Sequence, residues 1–287
     1  MTLRSAAPAL CLCVAILATA CMATAPPVTT PELPPKVSWE HKLAWIVRLE
    51  DQRLLRDPNP AAPAVVLRPA TKTLPALIAP PQPSDLLVLL RDAEARVRRR
   101  ATLAVGRVGL VEGVQPLTQA LADEEPEVRQ MAAFALGLIG SPTARPALLD
   151  ALAKGEAAMQ GRAAEALGLI GDKADGAAIG RMVGAHVAAG ALSTVQADDL
   201  TFPLAPPVEA VRLGLFALAR LSTYEPLAAA VLRADGQPVS SWWPVAYALQ
   251  RVGDARAMPA LLTLLATPGR YTPSLADARP RTAKDGV

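Results

Sequence analysis

The sequence predicts an all-α protein, an α-solenoid of stacked antiparallel helix pairs. Three observations carry that expectation. The 287-residue chain is 52% hydrophobic but only 3% aromatic, and it holds 58 alanines, the residue with the strongest intrinsic preference for helix. Three blocks, 83–113, 114–144 and 145–175, align without gaps at a 31-residue step. Glycines recur at that same step, as Gly106, Gly137 and Gly168 and again as Gly109, Gly140 and Gly171. General disorder is excluded by the apolar content. A β-sandwich or barrel is disfavoured because β-branched and aromatic side chains are scarce.

Residues 1–20 read as a secretory signal. Arg4 supplies the charged start, and Ala6 to Ala20 carries no charge and closes on Ala18-Thr19-Ala20, an apolar core with a small-residue cleavage site. That run of 15 residues is shorter than the about 20 a spanning helix needs. Cys21 follows. Leu17-Ala18-Thr19-Ala20-Cys21 resembles a bacterial lipobox, with Ala18 in the place where leucine usually stands. The resemblance implies lipid attachment at Cys21 and a protein held on the periplasmic face of a bacterial membrane. Ordinary cleavage at the same bond would instead release a periplasmic protein. All three cysteines, Cys11, Cys13 and Cys21, fall in or at the end of this segment, so the remainder offers no thiol for disulfides, zinc or nucleophilic catalysis.

Residues 21–82 read as a Pro-rich tether. Thirteen of the 28 prolines lie between Pro26 and Pro83, and proline favours extended polyproline II. A helix is embedded near 39–56, where Leu43, Ile46, Val47 and Leu54 keep helical spacing. It is expected to cap the open end of the stack. Asp57-Pro58-Asn59-Pro60 stops it, and Pro60 to Gln82 is expected to be extended.

The solenoid is expected over 83–266. In the second unit, Pro116 to Ala122 forms a first helix, Asp123-Glu124-Glu125-Pro126 a turn and Glu127 to Ile139 a second helix closed by Gly140. Val128, Ala132, Ala135, Leu136 and Ile139 form its buried stripe. One hairpin cannot bury both helices, so neighbours must stack. Further units follow at about 176–225 and 226–254, with a half unit at 255–266. In the fourth unit a polar insertion near Gly190 to Pro207 separates Gly176–Ala189 from Val208–Leu221. Residues 267–287 match no column and read as an irregular tail.

The units resemble HEAT repeats, in the short form also seen in bilin-lyase-type HEAT-like proteins. The marker is an aspartate in the inter-helix turn and an arginine six residues on: Asp92 with Arg98, and Asp123 with Arg129. The resemblance implies that these side chains form a ladder between adjacent turns by charge-assisted hydrogen bonds. Lys154 and Gln160 replace them in the third unit, where the ladder is expected to break. The layout is also similar to exported bacterial HEAT-repeat proteins that continue into a cyclophilin-type prolyl isomerase domain, which residues 267–287 do not contain. An alternative expectation is therefore a truncated or isomerase-lacking relative of that group.

No catalytic constellation, metal-ligand spacing or cofactor fingerprint is present, and no cofactor is expected. His41 and His186 have no partner at ligand spacing. The one basic cluster, Arg96, Arg98, Arg99 and Arg100, sits in a chain of net charge +3 with few aromatics for base stacking, so nucleic acid is not the expected partner. Two columns of the second helices face away from the buried stripe: Arg99, Gln130 and Gly161, and Leu103, Phe134 and Glu165. The HEAT resemblance places such columns on the concave side. Arg99, Leu103, Gln130, Phe134 and Glu165 are therefore candidate partner-binding residues. Trp242 and Trp243 join them, because exposed tryptophan anchors protein interfaces. The expected function is a non-enzymatic protein–protein interaction scaffold of the bacterial envelope.

Overall fold

A computed structural model describes residues 37–59, 65–68, 71, 77–79 and 84–266. The segment expected as a signal, Cys21, the first part of the expected tether and residues 267–287 lie outside the described residues. The chain divides into two compact units. The smaller contains an antiparallel hairpin of β1 (Val65–Arg68) and β2 (Leu77–Ala79), with Val65 opposite Ala79 and Val66 opposite Ile78. Extended backbone was expected here, and two short runs rich in Val, Leu and Ile pair into a ribbon.

The larger unit is an α-solenoid. Its first helices are α2 (Leu86–Leu89), α4 (Val114–Ala120), α6 (Arg145–Lys154), α8 (Gly176–Ala188), α10 (Tyr224–Val231) and α12 (Met258–Ala266). The second helices are α3 (Ala95–Val108), α5 (Pro126–Ile139), α7 (Ala157–Ile170), α9 (Pro206–Leu221) and α11 (Trp243–Arg251). Each second helix packs on the next along the row, from α3 through α11. α1 (Trp39–Asp51) packs on α3 and so begins that same row.

Two glycine columns explain the spacing. A Cβ on Gly106 would lie 2.7 Å from the Cα of Ala135, and one on Gly137 would lie 2.7 Å from the Cα of Ala166. Gly168 stands equally close to Ala217 on α9. The backbones therefore approach as near as glycine on alanine permits, and alanine recurs because nothing larger fits. The second column ends the helices. Gly109, Gly140, Gly171 and Gly253 all have positive φ, and Ser222 (φ 53°) and Arg53 (φ 59°) hold the same place on α9 and α1. A left-handed residue here turns the chain out of the helix.

That second column fixes the register of the whole row. Its members Gly109, Gly140, Gly171, Ser222 and Gly253 show that the insertion shifts α9 but leaves α11 in step with it. Leu49, Val105, Leu136, Leu167, Leu218 and Leu249 then form one buried line, each contributing about 1.5–3 kcal/mol by burial. α1 ends at Asp51 rather than near Arg56, because Arg53 takes the left-handed conformation and Arg56 then bridges to Asp85. Its buried contacts are Ile46 and Leu49, whereas Val47, expected on the apolar stripe, is 50% exposed.

Candidate functional site

The turns between paired helices are tied by charge. Arg98 donates Nε and Nη2 to the two carboxylate oxygens of Asp123 in the next unit, at 2.8 and 2.9 Å. It also donates Nη1 to the carbonyl of Asp92 at 2.9 Å. One guanidinium thus closes its own turn and holds the following one, in the bidentate geometry that favours arginine over lysine. Burial alone would raise the Asp123 carboxyl. Its hydrogen bonds from Arg98 and the Glu125 amide outweigh this and hold it below the usual carboxylate range.

The neighbouring rungs differ. Lys42 of α1 meets Asp92 at 2.7 Å, so α1 supplies the cation that an earlier repeat would otherwise provide. Arg129 closes its own turn through the carbonyls of Asp123 and Glu124, at 2.9 and 3.0 Å. Towards the third unit it reaches only Glu156, at 3.4 Å. Gln160, in the arginine place, donates to the Leu152 carbonyl and meets His186 Nε2 at 2.8 Å. Burial lowers the His186 pKa, favouring the neutral ring.

The basic cluster is neutralised locally. Arg96 pairs with Glu94, Arg98 with Asp123 and Glu124, Arg99 with Glu127 and Arg100 with Glu50. Arg96 also lies 4.4 Å over the Trp39 ring. This is a set of ion pairs rather than an open anion patch. Among the described residues no group of three or more His, Cys, Asp or Glu is gathered as for a metal.

The outward columns of the second helices extend further than the three aligned units. With the register fixed above, the column of Leu103, Phe134 and Glu165 continues through Phe216 on α9 and Tyr247 on α11. The column of Arg99 and Gln130 continues through Arg212 and Trp243. Leu103, Phe134 and Phe216 are half-buried, and Tyr247 is 44% exposed. Glu165, the charged member, is paired with Arg162 at 2.8 Å. Gly161 does not face outward; it is buried against Ala210 of α9.

At the α9–α11 end these columns converge on an aromatic cluster. Phe216 meets Tyr247 edge-on at 5.4 Å and Trp243 at 6.2 Å, and the Arg212 guanidinium lies 5.4 Å over the Phe216 ring. Trp242 is corrected from candidate anchor to core. It is 1% exposed, and its indole Nε1 points to the Asp199 carbonyl of the insertion at 3.5 Å. The Trp243 amide donates to the Ala197 carbonyl at 2.9 Å, so both tryptophans hold the insertion, the first buried and the second half-buried. Phe216 and Tyr247 were missed in the sequence because the insertion hides the column. The signal was present for Tyr247, which precedes Ala248-Leu249 as Phe134 precedes Ala135-Leu136.

Two clefts open where second helices end. One, of about 660 Å³, is lined by Glu50, Asp51, Arg53, Gly106, Arg107 and Leu138. There Arg107 pairs with Glu50 at 2.8 Å, and Arg53 donates to the Arg107 carbonyl. The other, of about 390 Å³, lies at the ends of α9 and α11 and is lined by Phe216, Ala219, Arg220, Ser222, Tyr247 and Arg251.

This stacked architecture defines the class of the protein as an α-solenoid. Residues 83–168, and in an overlapping match 114–185, fit the family model for HEAT repeats. No curated protein matches the chain in sequence. Among solved structures, the complex of CpcE and CpcF of phycocyanin lyase from Nostoc sp. is similar at 20% identity and a TM-score of 0.41, covering 69% of each chain. An engineered protein is similar at 21% identity and a TM-score of 0.35, covering 63% of this chain and 78% of the other. Neither likeness bears on what this chain does.

Proposed function

We propose that the chain is a non-enzymatic scaffold that binds another protein along the outward face of its second-helix row. In this reading Cys21 holds it at the periplasmic face of a bacterial membrane. One observation carries the binding reading: Leu103, Phe134, Phe216, Tyr247 and Trp243 lie along that face, half-buried or exposed, with the charged Glu165 of α7 between Phe134 and Phe216. A column maintained for solvation alone would carry charge on more of its helices than α7. Aromatic side chains in a polar surround supply contact area at little entropic cost, as interface anchors do. The Pro-rich segment would set the distance between membrane and solenoid.

A photo-crosslinking amino acid placed at Phe134 or Tyr247, and as control at exposed Glu112 or Lys173, tests the surface in intact cells. The expected result is a discrete adduct from the first pair and none from the second. Equal labelling at all four positions would remove the reading. The anchor is tested separately by mass spectrometry of the mature N-terminus, where an unmodified Cys21 thiol would end it.

A further inference from the structure

We infer that the cleft between the ends of α9 and α11 binds an acidic peptide segment of the partner, with carboxylates on Arg220 and Arg251 and an apolar side chain against Phe216 and Tyr247. This deepens the scaffold reading and rests on it. The first observation is charge that is left over. On the second helices α3 to α11, Arg96, Arg98, Arg99, Arg100, Arg107, Arg129, Arg162 and Arg212 each have a carboxylate within ion-pair distance. Arg220 and Arg251 are the arginines of this row that have none among the described residues, and both line the same cleft.

The local backbone does not occupy them either. At the end of α9, the carbonyls of Ala219 and Leu218 accept from the amides of Ser222 and Thr223. At the end of α11, the carbonyls of Ala248 and Gln250 accept from Val252 and Gly253. Neither guanidinium donates to a described residue, so their donors remain open to an incoming carboxylate. The fork geometry of guanidinium suits a carboxylate in bidentate contact.

The second observation is what adjoins the charge. Phe216 and Tyr247 stand at the wall of the cleft, one helical turn before Arg220 and Arg251 on their respective helices. A site for a bare anion would need no such wall. A segment alternating acidic and aromatic or aliphatic side chains would use both. The net charge of +3 gives little long-range attraction to a polyanion such as nucleic acid or an anionic bilayer, so recognition depends on short-range fit.

The test uses the purified protein and a short fluorescein-labelled peptide of alternating glutamate and phenylalanine. Saturable binding is expected, weakening with salt. Arg220→Gln and Arg251→Gln should each lower affinity by about tenfold, the scale of a lost charge-assisted hydrogen bond. Arg107→Gln, in the same column but paired with Glu50, should leave it unchanged. Should the neutral variants lose structure by circular dichroism, Arg220→Glu with Arg251→Glu provides a second route, because this variant should instead bind the lysine-for-glutamate peptide. Three outcomes would overturn the inference: no binding of the acidic peptide, equal binding by Arg220→Gln/Arg251→Gln, or capture by phosphatidylglycerol vesicles that the peptide fails to displace. If the Tyr247 crosslink to a partner persists in Arg220→Gln/Arg251→Gln, the scaffold reading survives while the acidic-peptide inference falls.

Discussion

Two stretches of the second-helix row are built on different rules. From α3 to α9 the helices meet glycine on alanine, with Gly106, Gly137 and Gly168 each closer to the next backbone than any side chain could be. Between α9 and α11 the glycine place is taken by Ala219, and Phe216, Trp243 and Tyr247 meet at the contact instead. Small residues give contact without leftover surface. Large rings at a looser joint leave edges exposed and a cleft beneath them. The regular stretch also pairs its arginines, whereas the irregular one leaves Arg220 and Arg251 open. Regularity here stabilises the stack, and its interruption leaves a cleft lined by two arginines that make no ion pair among the described residues.

The largest expected effect tests what holds the irregular joint together. Trp242→Ala should cost about 4 kcal/mol, the range for emptying a buried aromatic site, and should free the insertion from α11. Trp243→Ala, one residue on but only half-buried, should cost about 2 kcal/mol for its contact with Phe216 and its partial burial. Urea unfolding followed by circular dichroism separates the two. Similar losses for both would mean that the joint is a single aromatic core with no free face.

The regular joint is tested by size. Gly137→Val should cost about 3 kcal/mol, because its Cβ would lie 2.7 Å from the Ala166 backbone, which cannot retreat as a flexible side chain would. Gly184 on α8 provides the contrast, since its nearest neighbour would be 3.7 Å from an added Cβ. Gly184→Ala should leave the midpoint unchanged or raise stability by up to about 1 kcal/mol through helix propensity. A Gly137→Val protein as stable as the parent would show that the row tolerates wider spacing.

Much of this was legible in the sequence, and the failures have physical causes. The 31-residue columns exposed the helix pairs because each glycine is forced by contact or by φ. α1 escaped alignment as a member of the row because Arg53, not glycine, takes the left-handed place, and because a Pro-rich stretch breaks the step. The orientation of Trp242 against Trp243 depends on where the insertion lies, which periodicity does not report. The ladder was legible as residue types, but Lys42 as its first cation is visible only once α1 is placed beside Asp92.

That ladder gives a smaller, pH-dependent effect in the regular stretch. Arg98→Ala should cost about 2 kcal/mol near pH 7, because Asp123 loses its buried partner. The Asp123 pKa is lower in the folded state than its ordinary value. Its contribution is therefore complete above about pH 4, the unfolded value, and is lost as pH falls through the folded one. The difference between Arg98→Ala and the parent should narrow steadily below pH 4 in unfolding curves. A gap that stayed constant down to pH 2 would assign the loss to packing of the arginine stem rather than to charge.

The smallest effect is the one that separates the two stretches most sharply. Arg220→Gln and Arg251→Gln should each change stability by less than about 0.5 kcal/mol, as surface substitutions without partners do. Paired Arg98 sits at 8% side-chain exposure, whereas Arg220 and Arg251 are exposed and make no ion pair among the described residues. Residues that matter for binding and not for folding should show this signature, near-silent in unfolding and pronounced in affinity for an acidic peptide. A loss of 2 kcal/mol or more on either substitution would place these arginines in the structural framework and remove the distinction between a joint that stabilises and one that recognises.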